Sequence, residues 1–568
     1  MNEVRRPVLL NAYAAAQCPV RVQNDFNQTL PKIPWEPSPE DKARQEAGRA
    51  FEADVFATLL DLHASAVPVD PSLRRFDAIE ATVEAMDSGA PLILGGWLPD
   101  DPHGGRTGRP DLLIRVEGGY LPADVKSHKT LKAAKTKTAM VSTLDRPAQR
   151  FDLAGWSSSE AKKRFRDGMQ LAHYTRMLQV CGQHAGPLAG AILGTSDVAL
   201  VSGGEPGLVL VWHALDEPLY DTFSRSAGKK KRSLLERYDH EHGFRLKVAR
   251  TAARITGEAD DPDLLVRPIG QDECARCPYQ QWCADEMGPD DASAAITMGR
   301  LQIREWQALH RMGIETTADL SAVDADDPEF FDEYFPEVSN YSRDEARTRL
   351  AGAVRRARMI CEGTEIVPIG NGIEVPSADI EIDFDVESDT AGRVYMWGVR
   401  VRRRGDDSTA RYIADFVEWE PLDSHRERDL ANRFVAWLRA QCAAAADNGQ
   451  TIAVFHWTPY EIDRLRSILG LAEIGDLIDP DSGIFIDLHR WFKANFFSVH
   501  GAKLKTVAPI FGFSWRVDDP GGAVSQVYLS VAQTSDDPDA VAAAKAWLLS
   551  YNEDDTAATA AIRDGVRG

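Results

Sequence analysis

Apolar and polar positions alternate along this chain in two rhythms. In 378–387 the period is two: Ile380, Ile382, Phe384 and Val386 face one way, and Glu381, Asp383, Asp385 and Glu387 the other. The stretches 393–404 and 410–419 continue that alternation, so three successive strands are expected. A helical period governs 40–63, 159–180, 301–313, 342–360 and 548–562. Between them, 111–128 reads as strand, turn and strand: LLIRV, then Glu117-Gly118-Gly119, then YLPADVKSH. Strand and helix signals alternate again after 450, beginning with the strand, loop and helix of TIAVFHWTPYEIDRL. The pattern predicts an α/β multidomain protein.

At 568 residues, with 43% hydrophobic and 27% charged positions, the chain calls for two to four globular domains. The Gly/Pro-bearing stretch 362–377 separates helical from strand-rich sequence. The expected division is 1–290, a helical connector 291–365, a linker 366–377 and a last domain 378–568. No apolar run is long enough to span a bilayer. Arg5-Arg6 followed by VLLNAYAAAQC loosely mimics a signal peptide, but Asn11 and Tyr13 interrupt it, and a cytoplasmic protein is expected. The formal charge of −22 (65 basic against 87 acidic residues) argues against coating nucleic acid by bulk electrostatics. It leaves room for a nuclease, whose metal sites use carboxylates.

Chemistry concentrates in three places. Asp124 and Lys126 are two apart on the second strand of the 111–128 unit, hence on one face, and Asp111 begins the first strand. Two carboxylates and a lysine suit phosphodiester hydrolysis: the acids hold hard divalent ions and the lysine stabilises developing charge. A solvated hairpin edge, which Pro122 would fit, is the plainer reading. Second, Cys18 stands alone near the N-terminus, and Cys274, Cys277 and Cys283 lie together roughly 250 residues on. Four thiolates suit an iron–sulfur cluster or zinc. Closing so long a loop costs on the order of 5 kcal/mol plus a constant, which a strongly bound metal can offset. The other cysteines, Cys181, Cys361 and Cys442, are scattered and read as inert thiols. Third, the acidic face of 378–387 needs neutralising, either by the basic strand around Arg400 and Arg402 or by divalent ions.

The order Pro110-Asp111, then Asp124-x-Lys126, resembles the PD-(D/E)xK nuclease motif. Upstream, GRAFE (48–52) offers Glu52 on a helix; downstream, Gln170 and Tyr174 share a helix face. With the cysteines, the set over roughly 10–285 resembles the RecB-type nucleases that carry an iron–sulfur cluster, AddB-type domains among them. The resemblance implies a restriction-endonuclease-like fold. It implies a 4Fe–4S cluster on Cys18, Cys274, Cys277 and Cys283, and divalent-metal ligands Glu52, Asp111 and Asp124. Lys126 would be catalytic, and Gln170 and Tyr174 would line the DNA path. Many relatives have histidine where Glu52 falls. Lys126, Lys129, Lys132 and Lys135, and the run Lys229 to Arg232, are candidate phosphate contacts or simply solvated faces.

In the connector, LHRMGIETTADL (309–320) resembles half of a helix-hairpin-helix. Gly313-Ile314 would form its turn, with amides of the next helix aimed at a phosphate. Arg355, Arg356 and Arg358 fit a DNA track or a solvated helix. In the last domain, Asp385-x-Glu387 on a first strand, Glu461 after a loop and Tyr551-x3-Asp555 on a last helix resemble, in that order, the DEDD exonucleases of the DEDDy branch. IDLHRWFKANFF (486–497) and LKTVAPIFGFSW (504–515) are similar to the segment between its later motifs. This implies an RNase H-like fold in which Asp385, Glu387, Glu461 and Asp555 bind two Mg2+ or Mn2+ ions and Tyr551 orients water. Most relatives have aspartate at Glu461, and Asp463 is the competing candidate.

The two halves together are expected to form a metal-dependent DNA exonuclease with two sites, acting on ends or single strands in repair, recombination or defence. The rival expectation is a catalytically inactive DNA-end-binding adaptor for a helicase partner. A redox-sensing cluster is a third.

Overall fold

The computed structural model describes residues 7–31, 36–37, 39–158, 161–196, 198, 200, 207–224, 228–293, 301–390, 392–518 and 521–567. In the N-terminal half, eight strands form one sheet: β1 (Val67–Pro68), β2 (Leu92–Leu94), β3 (Leu112–Val116), β4 (Gly119–Lys129), β5 (Leu131–Ser142), β6 (Phe151–Ser158), β7 (Ala189–Thr195) and β8 (Leu208–Ala214). Their spatial order is β1-β2-β3-β4-β7-β8-β5-β6. Helices α1 (Pro19–Phe26), α2 (Pro39–Leu62), α3 (Arg75–Asp87), α4 (Ala161–Val180), α5 (Leu234–Ala252) and α6 (Gln280–Met287) belong to this half.

The 111–128 unit forms as read: β3 and β4 pair antiparallel, Leu112 opposite Ala123, and the turn uses Gly118 at φ +89°. It is not a sheet edge. β4 also pairs in parallel with β7, Asp124 opposite Ile192, so the strand is interior. The period of two then sorts its neighbours. Val55 and Leu59 of α2 pack with Leu112, Ile114, Leu121 and Ala123 on one face. Ala78 and Met86 of α3 and Tyr174 and Met177 of α4 pack with Ile93, Leu113 and Tyr120 on the other. The lysines at 126, 129, 132 and 135 lie on extended β4 and β5, and Lys229 to Arg232 on a hairpin of β9 (Tyr220–Ser224) and β10 (Gly228–Arg232).

The connector consists of α7 (Ile303–Arg311), α8 (Thr317–Ala322), α9 (Pro328–Tyr334) and α10 (Arg343–Cys361). Trp306, Leu309, Leu320, Phe331, Leu350 and Val354 form its core, which also takes in Ile269 and Ala292 from the preceding segment. Gly313 turns the chain at φ +79°. The expected phosphate seat at α8 is filled from within. Asp319 accepts the amides of Glu315 and Thr316, Thr316 Oγ1 caps Asp319, and Thr317 N–H goes to Asp290 O. An anion there would also meet the Asp319 carboxylate. The arginines of α10 are likewise engaged: Arg355 and Arg356 lie over the Phe497 ring at 4.4 and 4.7 Å, and Arg358 donates to Ser321 O and Val323 O.

The C-terminal sheet contains β12 (Ile380–Ser388), β13 (Val394–Arg403), β14 (Asp406–Ile413), β15 (Ile452–His456) and β16 (Phe485–Asp487), ordered β14-β13-β12-β15-β16. β12, β13 and β14 are antiparallel neighbours; β15 runs parallel to β12, and β16 parallel to β15. The stretch expected to be a linker is docked here: β11 (Ile366–Pro368) pairs with β17 (Phe496–Ser498), and Glu374 O accepts from Trp491 Nε1 at 3.0 Å. Helices α11 (Ser424–Asp447), α12 (Tyr460–Leu469) and α13 (Leu471–Ile478) cover the face bearing Ile382, Phe384 and Val386. There the Phe384 and Phe434 rings stack at 4.8 Å, with Trp397 at 5.5 Å from Phe434. α14 (Leu488–Asn495), α15 (Leu504–Val507), α16 (Gly522–Thr534) and α17 (Pro538–Arg567) complete the domain.

α17 covers the acidic face of β12. Arg563 reaches Asp383 at 2.5 and 3.1 Å, Arg402 reaches Glu381 at 2.8 Å, and Arg567 reaches Glu381 at 3.0 Å. Glu381, Asp383, Arg402 and Arg563 are all buried. Removing one member leaves an uncompensated buried charge. Arg563→Ala is expected to destabilise this domain by about 3–5 kcal/mol, read as a lower urea midpoint for its unfolding transition.

Candidate functional site

In the N-terminal half the sheet register places Asp111, Asp124 and Lys126 on the α4 side of β3 and β4. Asp124 is 2% exposed. Lys126 forms an ion pair with Asp124 and donates to Gln170 Oε1 at 3.0 Å. Asp111 Oδ2 accepts the Val125 amide at 2.7 Å, which fixes it against the same strand. Burial, then the neighbouring Asp124, raises Asp111 well above the carboxylate range. Burial alone would depress Lys126, but Asp124, Tyr13 and Asp111 hold its ammonium above the ordinary value. Glu52 of α2 looks onto the group from the side. Burial raises it, Arg109 opposes, and Asp124 raises it further.

Gln170 and Tyr174 differ from the expected path-lining role. Both are buried. Gln170 holds the lysine, and Tyr174 gives its hydroxyl to Arg109 O at 3.1 Å beneath the loop before Asp111. Tyr13, which sequence reading treated only as an interruption, faces the site. Burial raises this phenol, Lys126 lowers it, and Asp124, Asp111 and Glu52 raise it.

The four cysteines meet. Cys18, Cys274, Cys277 and Cys283 line one small cavity with Arg21, Ile269 and Glu273. Cys18 N–H donates to Glu273 Oε2 at 3.1 Å. None is in a disulfide. Burial and the neighbouring Cys277, Cys18 and Cys274 push the Cys283 thiol up to about 12, so a soft cation would be needed to hold these groups as thiolates. A single tetrahedral zinc with Zn–S near 2.3 Å needs sulfurs about 3.8 Å apart. No three of these thiols come within 4.8 Å of one another; among the described residues only Asp385, Glu387 and Asp555 make such a set of ligand atoms.

In the C-terminal half, Asp385 and Glu387 project from β12 toward α17, which supplies Asp555 and Tyr551. Three carboxylates within 4.8 Å of one another are a hard-cation site in chemistry and in size. No arginine neutralises Asp385 or Glu387 among the described contacts; each receives a neutral donor. Asn552 Nδ2 donates to Asp385 at 2.7 Å, and Ser525 Oγ to Glu387 at 3.1 Å. Burial, then Asp555 and Glu387, raises Asp385 well above its usual range, and burial and Asp555 push Glu387 up to about 8. Asp555 accepts from Trp515 Nε1 at 2.7 Å. Lys505 donates to the Tyr551 hydroxyl at 2.6 Å and lies 3.8 Å from Asp555. Glu461 is buried at the start of α12, accepts from Thr458 Oγ1 at 2.9 Å and adds to the field on Asp385, but stands outside the trio. The competing Asp463 is turned to solvent and paired with Arg466 at 3.0 Å.

A profile of the RNase H superfamily matches residues 382–566. The C-terminal domain is RNase H-like. Among curated proteins and among solved structures, no significant match to the chain was found. The matched segment holds Asp385, Glu387, Glu461 and Asp555, and a match to that superfamily suggests a metal-dependent nuclease.

Asn552, Tyr412, Gly398, Lys505 and Trp515 of the RNase H-like domain were missed in the sequence. Gly398 lies opposite Asp385 on β13. A Cβ there would fall 1.5 Å from Asn552 Oδ1, so the glycine makes room for the amide that holds Asp385. Tyr412 donates to the same Oδ1 at 2.7 Å and fixes the amide orientation. Asn552→Ala and Gly398→Ala are expected to weaken Mn2+ binding about 10- to 100-fold, measured by calorimetric titration.

The raised carboxyls also set a pH dependence. A folded pKa above the unfolded one means that the native state keeps protons which the unfolded chain has lost. For Glu387 the window runs from about 4.5 to about 8. Metal-stripped protein is expected to lose stability as pH rises through it, by up to about 1.4 kcal/mol per pH unit for each such group. Excess Mg2+ is expected to flatten the slope; urea unfolding with and without the ion reads both.

Proposed function

We propose that this chain is a two-site, metal-dependent nuclease acting on DNA ends or single strands, in repair, recombination or defence. The observation that carries the proposal is the trio of half-buried Asp385 and buried Glu387 and Asp555, free of arginine, beside Lys505 and Tyr551 in an RNase H-like domain. Mg2+ or Mn2+ held there, with Glu461 at hand, would activate water and stabilise the leaving oxygen. The chain's own groups do the positioning. Asn552, Ser525 and Trp515 fix the three carboxylates. Tyr551, kept neutral by burial and the surrounding acids, presents a hydroxyl that Lys505 aligns toward the attacking water.

In the N-terminal half, Glu52, Asp111 and Asp124 would hold the second metal site, and Lys126, steadied by Gln170, would stabilise charge on the phosphate. The closed Lys126–Asp124 ion pair favours a second reading for this half alone, a DNA-end holder without cleavage. A 4Fe–4S cluster on Cys18, Cys274, Cys277 and Cys283 would join the two ends of this half, with Cys18 as the long-range ligand.

End-labelled single-stranded DNA with Mg2+ or Mn2+ tests the reading. Asp385→Ala is expected to lower degradation at least 100-fold at the RNase H-like site. Any residue of activity should vanish in the Asp124→Ala, Asp385→Ala double variant. Undiminished degradation by that double variant would refute both assignments. Anaerobically purified protein is expected to be brown with about four irons per chain, and Cys18→Ser to lose them. Stoichiometric zinc without iron would replace the cluster.

A further inference from the structure

We infer that the β5–β6 ribbon is the nucleic-acid backbone grip of the N-terminal half. The inference rests on the nuclease or end-binding reading above and adds to it the surface that holds the strand. β4 carries Asp124 and Lys126 and passes through the single buried residue Thr130 straight into β5. At about 3.3 Å per residue, Lys135 stands at most about 30 Å from Lys126 along the chain. β5 hydrogen-bonds to the rest of the sheet at its far end, where Val141 and Ser142 pair with β8, and buries Leu131 and Ala139 against Val209 and Val211 on one face. The remainder pairs with β6 alone and leaves a two-stranded arm.

The arm's charge runs against that of the whole protein. From 131 to 158 there are five lysines and arginines and two acids, Asp145 and Asp152, in a chain of net charge −22. Lys132, Lys135 and Lys137 are exposed, and among the described residues none of them has an ion-pair partner. The pairing explains how two of them are presented. Ala133 lies opposite Trp156 and Thr138 opposite Ala154, so Ala134 to Lys137 bulge out against Gly155 alone. Gly155 sits at φ +83° with open space around it, which lets β6 bend away. Such a bulge re-aims side chains and releases amides from the ladder. Phe151 (41% exposed) and Met140 (44% exposed) supply apolar surface on the same arm. Exposed lysines on an arm that also exposes the Phe151 ring at its base suit a polyanion with stackable bases, that is, a nucleic-acid strand.

The test uses the full chain with Asp124→Ala and Asp385→Ala, so that nothing is cut, and a fluorescent single-stranded oligonucleotide. Affinity is followed against salt. Adding Lys132→Glu, Lys135→Glu and Lys137→Glu is expected to lower affinity more than tenfold near 0.1 M salt. It should also reduce the slope of log K on log salt by about two, at about 0.7 per phosphate contact on a single strand. The matching glutamine variant is expected to shift both in the same direction by less, and thermal unfolding to stay in place because the side chains are exposed. If the parent binds with a steep salt slope and the ribbon variants keep it, the ribbon assignment is wrong and the nuclease reading stands. If the parent binds neither single- nor double-stranded DNA nor RNA, both fall together.

Discussion

Helix α17 and strand β12 are matched in pitch, and the C-terminal site depends on that match. Four helical residues rise about 6 Å, and two strand residues about 6.6 Å. Tyr551, Asp555, Thr559, Arg563 and Arg567 recur every four positions on α17. Glu387, Asp385, Asp383 and Glu381 recur every two on β12, running the other way. The helix residues therefore climb alongside the carboxylates, Thr559 and Arg563 reaching Asp383 and Arg563 and Arg567 reaching Glu381. At the Asp383 and Glu381 levels the helix brings a hydroxyl and two guanidiniums. At the Asp385 and Glu387 levels it brings another acid and a phenol. One face of one strand is thus neutralised at one end and left short of positive charge at the other. The two readings of the acidic face, arginine and divalent metal, both hold, each for its own half.

The same division governs what can be altered. The arginine-paired half is structural; its charges are buried and paired. The other half stores like-charge repulsion inside the fold, held together by neutral donors whose own placement is exacting. Gly398 is bare so that Asn552 can sit above it, and Tyr412 turns that amide the right way. α16 bonds Glu387 through Ser525 and also packs against α2, the helix that carries Glu52. The two candidate sites thus share a structural interface.

Much of this was legible in one sequence because it was periodic. Alternation in 378–404 named the strands and the acid face, and Tyr551 and Asp555 at helical spacing named the helix residues that meet it. The β3–β4 unit showed itself through its glycine turn, and Cys18 through its chemistry. What stayed hidden depends on partners far apart in the chain. Nothing around 552 marks that asparagine as the holder of Asp385, because its partner lies across a sheet register that no local pattern encodes. The burial of β4 was equally invisible, since β7 arrives from some 70 residues later to make it interior. The 309–320 resemblance misled for a local reason: Asp319 and Thr316, which cap α8, occupy the amides that a phosphate would need. The stretch 366–377 looked like a linker because glycine and proline are common there, yet part of it forms a strand against Phe496–Ser498.

A strongly acidic protein that handles a polyanion looks contradictory only if charge is summed over the whole surface. At physiological salt, fields between exposed charges fade over about 8 Å, so a phosphate responds to what lies next to it. Many acids of this chain are unavailable to repel DNA. Glu381, Asp383, Glu305 and Asp101 are bound to arginines at close range, and Asp385, Glu387 and Asp555 are gathered within 4.8 Å of one another, the last two buried. The lysines of the β5–β6 arm, by contrast, stand exposed on a ribbon that leaves the sheet. Net charge then sets solubility and slows non-specific adsorption, while the local pattern decides where a strand is held. An acidic body with a basic arm favours a strand that enters along the arm over one that lands on the acidic surface.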